Sequence, residues 1–226
     1  MMAVPAIQYN RSQAMTELLA RTQRLDVPAQ AEMSTETLGL SIEDIVQRYH
    51  PVLLASGREE PHNVLDRFLT NLALPVLQDA RYPLLVVPEG WKDQGLPERI
   101  AVAADGHSFW LTAPSLALAG LMEALRPTAT TVVHVAAAHG PSQANVGLES
   151  VVRTGLFGAL DGNHLYELRE EGTAEGIVHA ARELNAQLLV VMARPHTFLG
   201  GLFHRSITAQ IMRHSPIPVL VLPTMP

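Results

Sequence analysis

Apolar residues in this chain come in short continuous runs, and the same arrangement of runs occurs twice. One copy reads Gln187-Leu188-Leu189-Val190-Val191-Met192-Ala193, then a stretch with helical spacing, then Pro218-Val219-Leu220-Val221-Leu222-Pro223. The other reads Pro51-Val52-Leu53-Leu54-Ala55-Ser56-Gly57, a helical stretch, and Pro83-Leu84-Leu85-Val86-Val87-Pro88. A spacing of roughly 135 residues is far longer than the ~20–50 of a solenoid unit, so the pattern reads as a duplicated domain.

Residues 99–223 alternate strand and helix regularly. Arg99-Ile100-Ala101-Val102-Ala103-Ala104-Asp105 is an apolar run ending in Asp-Gly, which predicts a buried strand and a turn. Thr112 is placed to cap a helix with Pro114 in its first turn, where a missing amide costs nothing. Leu116, Leu118, Leu121, Met122 and Leu125 carry that helix to Pro127, and Thr131 to Ala136 form the next strand. Ser142 opens a helix whose Val146, Leu148, Val151, Val152 and Leu156 share roughly one face. His164 to Leu168 alternate, as an edge strand with one wet side does. Thr173 is read as the cap of a helix from Ala174 to Asn185, followed by a strand at Leu188–Met192, a helix near Ser206–His214 and a strand at Val219–Leu222. The fold class is therefore α/β: a doubly wound parallel five-stranded sheet sandwiched by helices, plus a partial copy of the same domain. Ligands of such sheets sit beyond the carboxyl ends of the strands, which points to Ala103–His107, Ala136–Gly140 and Met192–Ser206.

In the first copy, a helix over Ile7–Arg24, an edge strand over Val27–Met33, a helix over Leu40–Tyr49 and a helix over Asn63–Leu77 match the later elements of the second. Nothing matches its strand 99–105, helix 112–126 or strand 131–136. The expected organisation is a partial domain at 1–90, a polar linker bounded by Gly and Pro at 91–97, and a complete domain at 98–226. Loss of two leading strands would leave unpaired edges, so we expect a truncated ancestor, with strand 27–33 shifted or a second chain covering the gap.

Composition narrows the function classes. A 47% hydrophobic content with 17% charged residues supplies a core and argues against disorder. The apolar runs fall well short of the ~20 residues that span a bilayer, and residues 1–20 lack the basic start and apolar stretch of a leader, so a cytoplasmic protein is expected. The chain has no cysteine, which removes disulfides, thiolate metal sites and a thiol nucleophile. A net charge of −6 favours neither nucleic acid nor an acidic membrane as partner.

The start Ile100-Ala101-Val102-Ala103-Ala104-Asp105-Gly106, the strand Leu188-Leu189-Val190-Val191-Met192, and the close from Arg205-Ser206-Ile207-Thr208 through His214-Ser215-Pro216-Ile217-Pro218-Val219-Leu220-Val221-Leu222 resemble the universal stress protein family in tandem-domain form. The resemblance implies an adenine nucleotide alpha hydrolase-like fold and a role in stress adaptation. It also implies an assembly in which last strands pair: a homodimer, or Leu84–Val87 against Val219–Leu222 within one chain. The family's nucleotide-binding branch carries Gly-x2-Gly-x9-Gly-(Ser/Thr) after the fourth strand, glycines that let amides approach phosphates. Here Ser206 ends the motif, but Arg205, Pro195 and Met192 stand at the three glycine positions, and proline removes an amide a phosphate would use. A one-residue shift brings Ala193 and His196 into those positions. The counterpart Gly57-Arg58-Glu59-Glu60-Pro61 is too short for the motif. The resemblance therefore implies a member that does not bind ATP in the usual way and needs no cofactor, with ATP the alternative.

The candidate ligand-binding residues are Ala104, Asp105, Met192, Ala193, Arg194, His196, Arg205, Ser206 and Ile207. In nucleotide-binding relatives an Asp at the place of Asp105 contacts adenine; alternatively Asp-Gly only makes the turn. Ser206 is either an anion contact or an ordinary helix cap. Arg194, His196, His204 and Arg205 could form an anion pocket, or cover Phe198, Leu199 and Phe203 as a solvated loop. The ten histidines form no ligand pattern for a metal, and no Gly-x-Ser-x-Gly elbow or marked carboxylate pair suggests catalysis. Trp91 and Trp110 are candidate anchors between domains or ordinary packing.

Overall fold

The computed structural model describes residues 11–58, 81–92, 95–137, 139–169, 172–194 and 206–225. Helices α1 (Arg11–Thr22) and α2 (Leu38–Tyr49) precede strands β1 (Leu54–Arg58) and β2 (Leu84–Pro88). Then come β3 (Arg99–Ala103), β4 (Trp110–Leu111), α3 (Ala113–Leu116), α4 (Ala119–Leu125), β5 (Ala129–Ala136) and α5 (Ala144–Arg153). The chain closes with β6 (Leu165–Arg169), α6 (Thr173–Glu183), β7 (Leu188–Ala193), α7 (Ile207–His214) and β8 (Val219–Met225).

One continuous sheet runs in the order β1-β2-β8-β7-β3-β5-β6, with β4 paired to the end of β8 off that path. From β8 to β6 the five strands are parallel and follow a doubly wound order. The continuous apolar strands lie inside the sheet, and β6, whose residues are half-buried or exposed, forms one edge. Although β7 is apolar throughout, its side chains alternate between two cores. Leu189 and Val191 join α6 and α7 on one face, while Leu188 and Val190 join α4 and α5 on the other.

β2 pairs antiparallel with β8 within the chain, Leu84 opposite Val221 and Val86 opposite Val219, and β1 pairs parallel with β2 outside it. Leu84 and Val86 are fully buried in the core that Ile42 of α2 also enters. Arg58, at the end of β1 and itself buried, donates through Nη1 to the carbonyls of Met212 (2.7 Å) and Arg213 (3.0 Å), the last turn of α7. A cation there offsets the negative end of the helix dipole.

Several expectations are corrected. Residues 27–33 form no strand: Pro28 offers no amide for a ladder, and Val27 is exposed. Nor do they shift into the sheet, whose β8 edge is taken by β2 of the same chain. The strand expected from Pro51 starts at Leu54, and Gly57 and Arg58, expected in a loop, belong to it. The single helix over 112–126 is two, α3 and α4, with a turn at Ala117–Leu118 that leaves Leu118 fully buried at the junction. Thr112 does cap α3, accepting from the amide of Ser115. Thr173, read as a cap, is the first residue of α6, whose cap position is Gly172. The short strand β4 was not visible in the pattern; Trp110 in it is exposed, with the Arg153 guanidinium 4.9 Å from its ring centre. The helix expected over 63–77 lies outside the described residues.

Candidate functional site

The ends of β3, β5 and β7 and the first turns of α6 and α7 surround a cleft of about 430 Å³. Three of its walls follow from local sequence. The apolar strand β3 ends where Ala104 donates its amide to Val133 and Asp105 turns the chain outward. Helix α5 passes close beneath that turn because Gly147 has no side chain; a Cβ there would lie 2.7 Å from the Asp105 carbonyl. Gly106 is equally confined, since its Cβ would meet that of Gln143 at 2.3 Å.

Arg194, the residue after β7, turns back across the neighbouring strand end and pairs with Asp105. Its Nε donates to Oδ2 at 2.5 Å and its Nη2 to Oδ1 at 2.9 Å. Nη2 also donates to the carbonyls of His107 (2.8 Å) and Ser108 (3.0 Å). The His107 amide donates to Oδ1 of Asp105 at 3.2 Å, closing the turn onto the same carboxylate. Asp105 is thereby supplied with donors from its own chain, and the guanidinium is spent on a carboxylate and two carbonyls rather than left to an anion.

Ala104, Asp105, Met192, Arg194 and Ile207 therefore come together at the cleft. Ala193 and Ser206 do not line it. The Ala193 carbonyl accepts from Oγ1 of Thr224, tying β7 to β8. Ser206 caps α7, its Oγ accepting from the amide of Ala209 at 3.1 Å. His196, His204 and Arg205 lie outside the described residues. Of the residues expected to form an anion pocket, Arg194 is paired with Asp105.

Sequence reasoning did not single out His134, Gln143 and Thr173, which also line the cleft. His134 sits within the apolar run of β5, is 6% exposed, and reads as a core residue from pattern alone. Its neighbours Ala136 and Ala137 were within reach of the strand-end rule.

A sequence profile of the universal stress protein family matches residues 97–223. A comparison with curated proteins finds no match. Among solved structures, a universal stress protein from Archaeoglobus fulgidus DSM 4304 is similar over 93% of this chain and 76% of its own, at 20% identity and a TM-score of 0.59. A protein of unknown function from Pseudomonas aeruginosa PAO1 covers 96% and is itself covered to 79%, at 16% identity and a TM-score of 0.60. A putative universal stress protein from Pseudomonas aeruginosa UCBPP-PA14 covers 97% and is covered to 80%, at 17% identity and a TM-score of 0.59. At these identities the structural likenesses speak for the fold.

Proposed function

The chain belongs to the universal stress protein family, and we propose that it is a non-catalytic member acting through protein contacts or a small ligand, without binding ATP in the usual way. The observation that carries this reading is the two-pronged hold of Arg194 on Asp105. In the nucleotide-binding pattern, the residue at Asp105 is offered to a base and the loop glycines to phosphates. Here the carboxylate already has an internal partner, and the glycine positions hold Met192, Pro195 and Arg205.

The same proposal takes residues 1–90 as a partial second copy in tandem, joined through a linker at 91–97 to a full domain at 98–226. Its support is geometric: β1 lies parallel to β2 as β7 lies parallel to β8, and β2 and β8 meet antiparallel, as two related halves would. A homodimer and a cytoplasmic location belong to the proposal; among the described residues no helix is long and apolar enough to cross a membrane.

Calorimetry with ATP, with and without magnesium, tests the reading. No heat at high concentration supports it. Micromolar binding lost in both Asp105→Ala and Ser206→Ala would overturn it in favour of a nucleotide-binding module or weak nucleotide hydrolase.

A further inference from the structure

We propose that the cleft receives a small uncharged molecule with an apolar body and one hydrogen-bond donor, and that Nε2 of His134 is the acceptor for that donor. The inference rests on the reading that ATP does not occupy this cleft in the usual way, and it names the ligand class instead.

Nδ1 of His134 lies 3.1 Å from the carbonyl oxygen of Ala104. A carbonyl can only accept, so Nδ1 carries the proton, and in the neutral form of the ring that tautomer leaves Nε2 as an acceptor. The tautomer is thus set by the backbone at the end of β3. The ring is more than nine-tenths buried and lines the cleft, and among the described residues Nε2 has no hydrogen-bond partner. Gly106 leaves room for the ring edge, because a Cβ at that position would approach Cε1 to 3.3 Å. An acceptor on a ring that lines an open cleft, with its tautomer set from behind, is how a site selects a donor.

The surrounding chemistry restricts the rest of the ligand. Val135, Ile177, Met192, Ile207 and Ile211 supply an apolar lining. The carboxylate and the guanidinium at the cleft, Asp105 and Arg194, neutralise each other, so neither is free to balance a charged ligand. The volume of about 430 Å³ falls within the ~300–1,000 Å³ usual for small-molecule sites.

Indole and 1-methylindole have the same body and differ in one N–H, so calorimetric titration of each into the full chain isolates the donor. Indole is expected to bind saturably and 1-methylindole at least about tenfold more weakly. In His134→Phe, indole should fall to the level of 1-methylindole, whereas His134→Gln, which keeps an acceptor, should restore part of the preference. Circular dichroism checks that each variant is folded; should either fail to fold, the wild-type pair alone decides. Equal affinity for the two probes, or no indole binding at millimolar concentration, overturns the inference. ATP titrated in parallel separates the two claims: ATP binding would overturn the proposed function, while the indole preference is read independently.

Discussion

Arg194 and Asp105, 89 positions apart in sequence, meet through two parallel hydrogen bonds that clasp the adjacent ends of β7 and β3. The pair is partly exposed, with the arginine side chain at 21% and the aspartate at 46%, so solvent screens much of its Coulomb energy. Its worth lies in geometry: the guanidinium fork also reaches two carbonyls of the turn. Arg194→Ala should therefore cost about 1 kcal/mol in urea unfolding. Arg194→Lys should recover little of it, because a point charge cannot make the two-pronged contact. Full recovery by lysine would mean that charge alone holds the turn.

Arg58 is the link between the β1–β2 pair and the region matched by the family profile. It is buried, and its Nη1 supplies donors to two carbonyls at the end of α7 that the helix cannot satisfy itself. Arg58→Ala should cost about 2 kcal/mol or more, because charge-assisted bonds are lost and the Met212 carbonyl stays buried. Denaturant melts should show α7 and the whole sheet unfolding together at the lower midpoint. An unchanged midpoint would show that β1 is not coupled to α7.

Leu84 tests the β2–β8 seam. It is 1% exposed and lies opposite Val221 in the antiparallel ladder. Leu84→Ala should cost about 2–5 kcal/mol as a core truncation. A cost below about 1 kcal/mol in urea unfolding would mean that the seam opens without disturbing the core, contrary to its burial.

Much of this architecture was legible because the strands of a two-sided sheet are apolar along their whole length. Leu188–Met192 and Val219–Leu222 could be read as strands on that ground alone, and the alternation of His164–Leu168 marked an edge. Two kinds of feature stayed hidden. Short pieces such as β4 draw their stability from a partner far along the chain, here Thr224 and Met225, and leave no periodic trace. The repeat itself misled at 27–33, where an element was expected by alignment although Pro28 argued against a ladder. At the cleft, the strand-end rule located Asp105, Met192 and Arg194, but no pattern shows that two of them neutralise each other. His134 was masked by the apolar run around it, since a lone histidine in a strand is most often packing.

Gly147 provides a case where sign, rather than size, decides. Replacing a helical glycine by alanine ordinarily stabilises by about 1 kcal/mol. Here the new Cβ would sit 2.7 Å from a backbone oxygen of Asp105 and 3.4 Å from Cβ of Ala104, so either α5 or the turn must move. Gly147→Ala should lower the melting temperature and loosen the Asp105–Arg194 pair, visible as faster amide exchange at His107. A raised melting temperature would show that α5 can shift away at no cost.

Glu32 supplies a pH-dependent contact that joins the segment after α1 to α2. The Tyr49 hydroxyl donates to its carboxylate, and Nη2 of Arg48 does so at 3.0 Å. These bonds hold the Glu32 carboxyl below the ordinary glutamate range, the tyrosine first and the arginine second, while the same carboxylate raises the Tyr49 phenol. A carboxylate depressed in the folded state stabilises above its unfolded pKa and loses that contribution as pH falls through the folded value. The contact should therefore persist at neutral pH and open only in acid, below the usual glutamate titration. Tyr49→Phe removes the leading cause, so the Glu32 midpoint, followed by carbon-detected NMR, should rise toward the ordinary range. A midpoint that stays in place would assign the depression to Arg48 instead, which Arg48→Gln would then abolish.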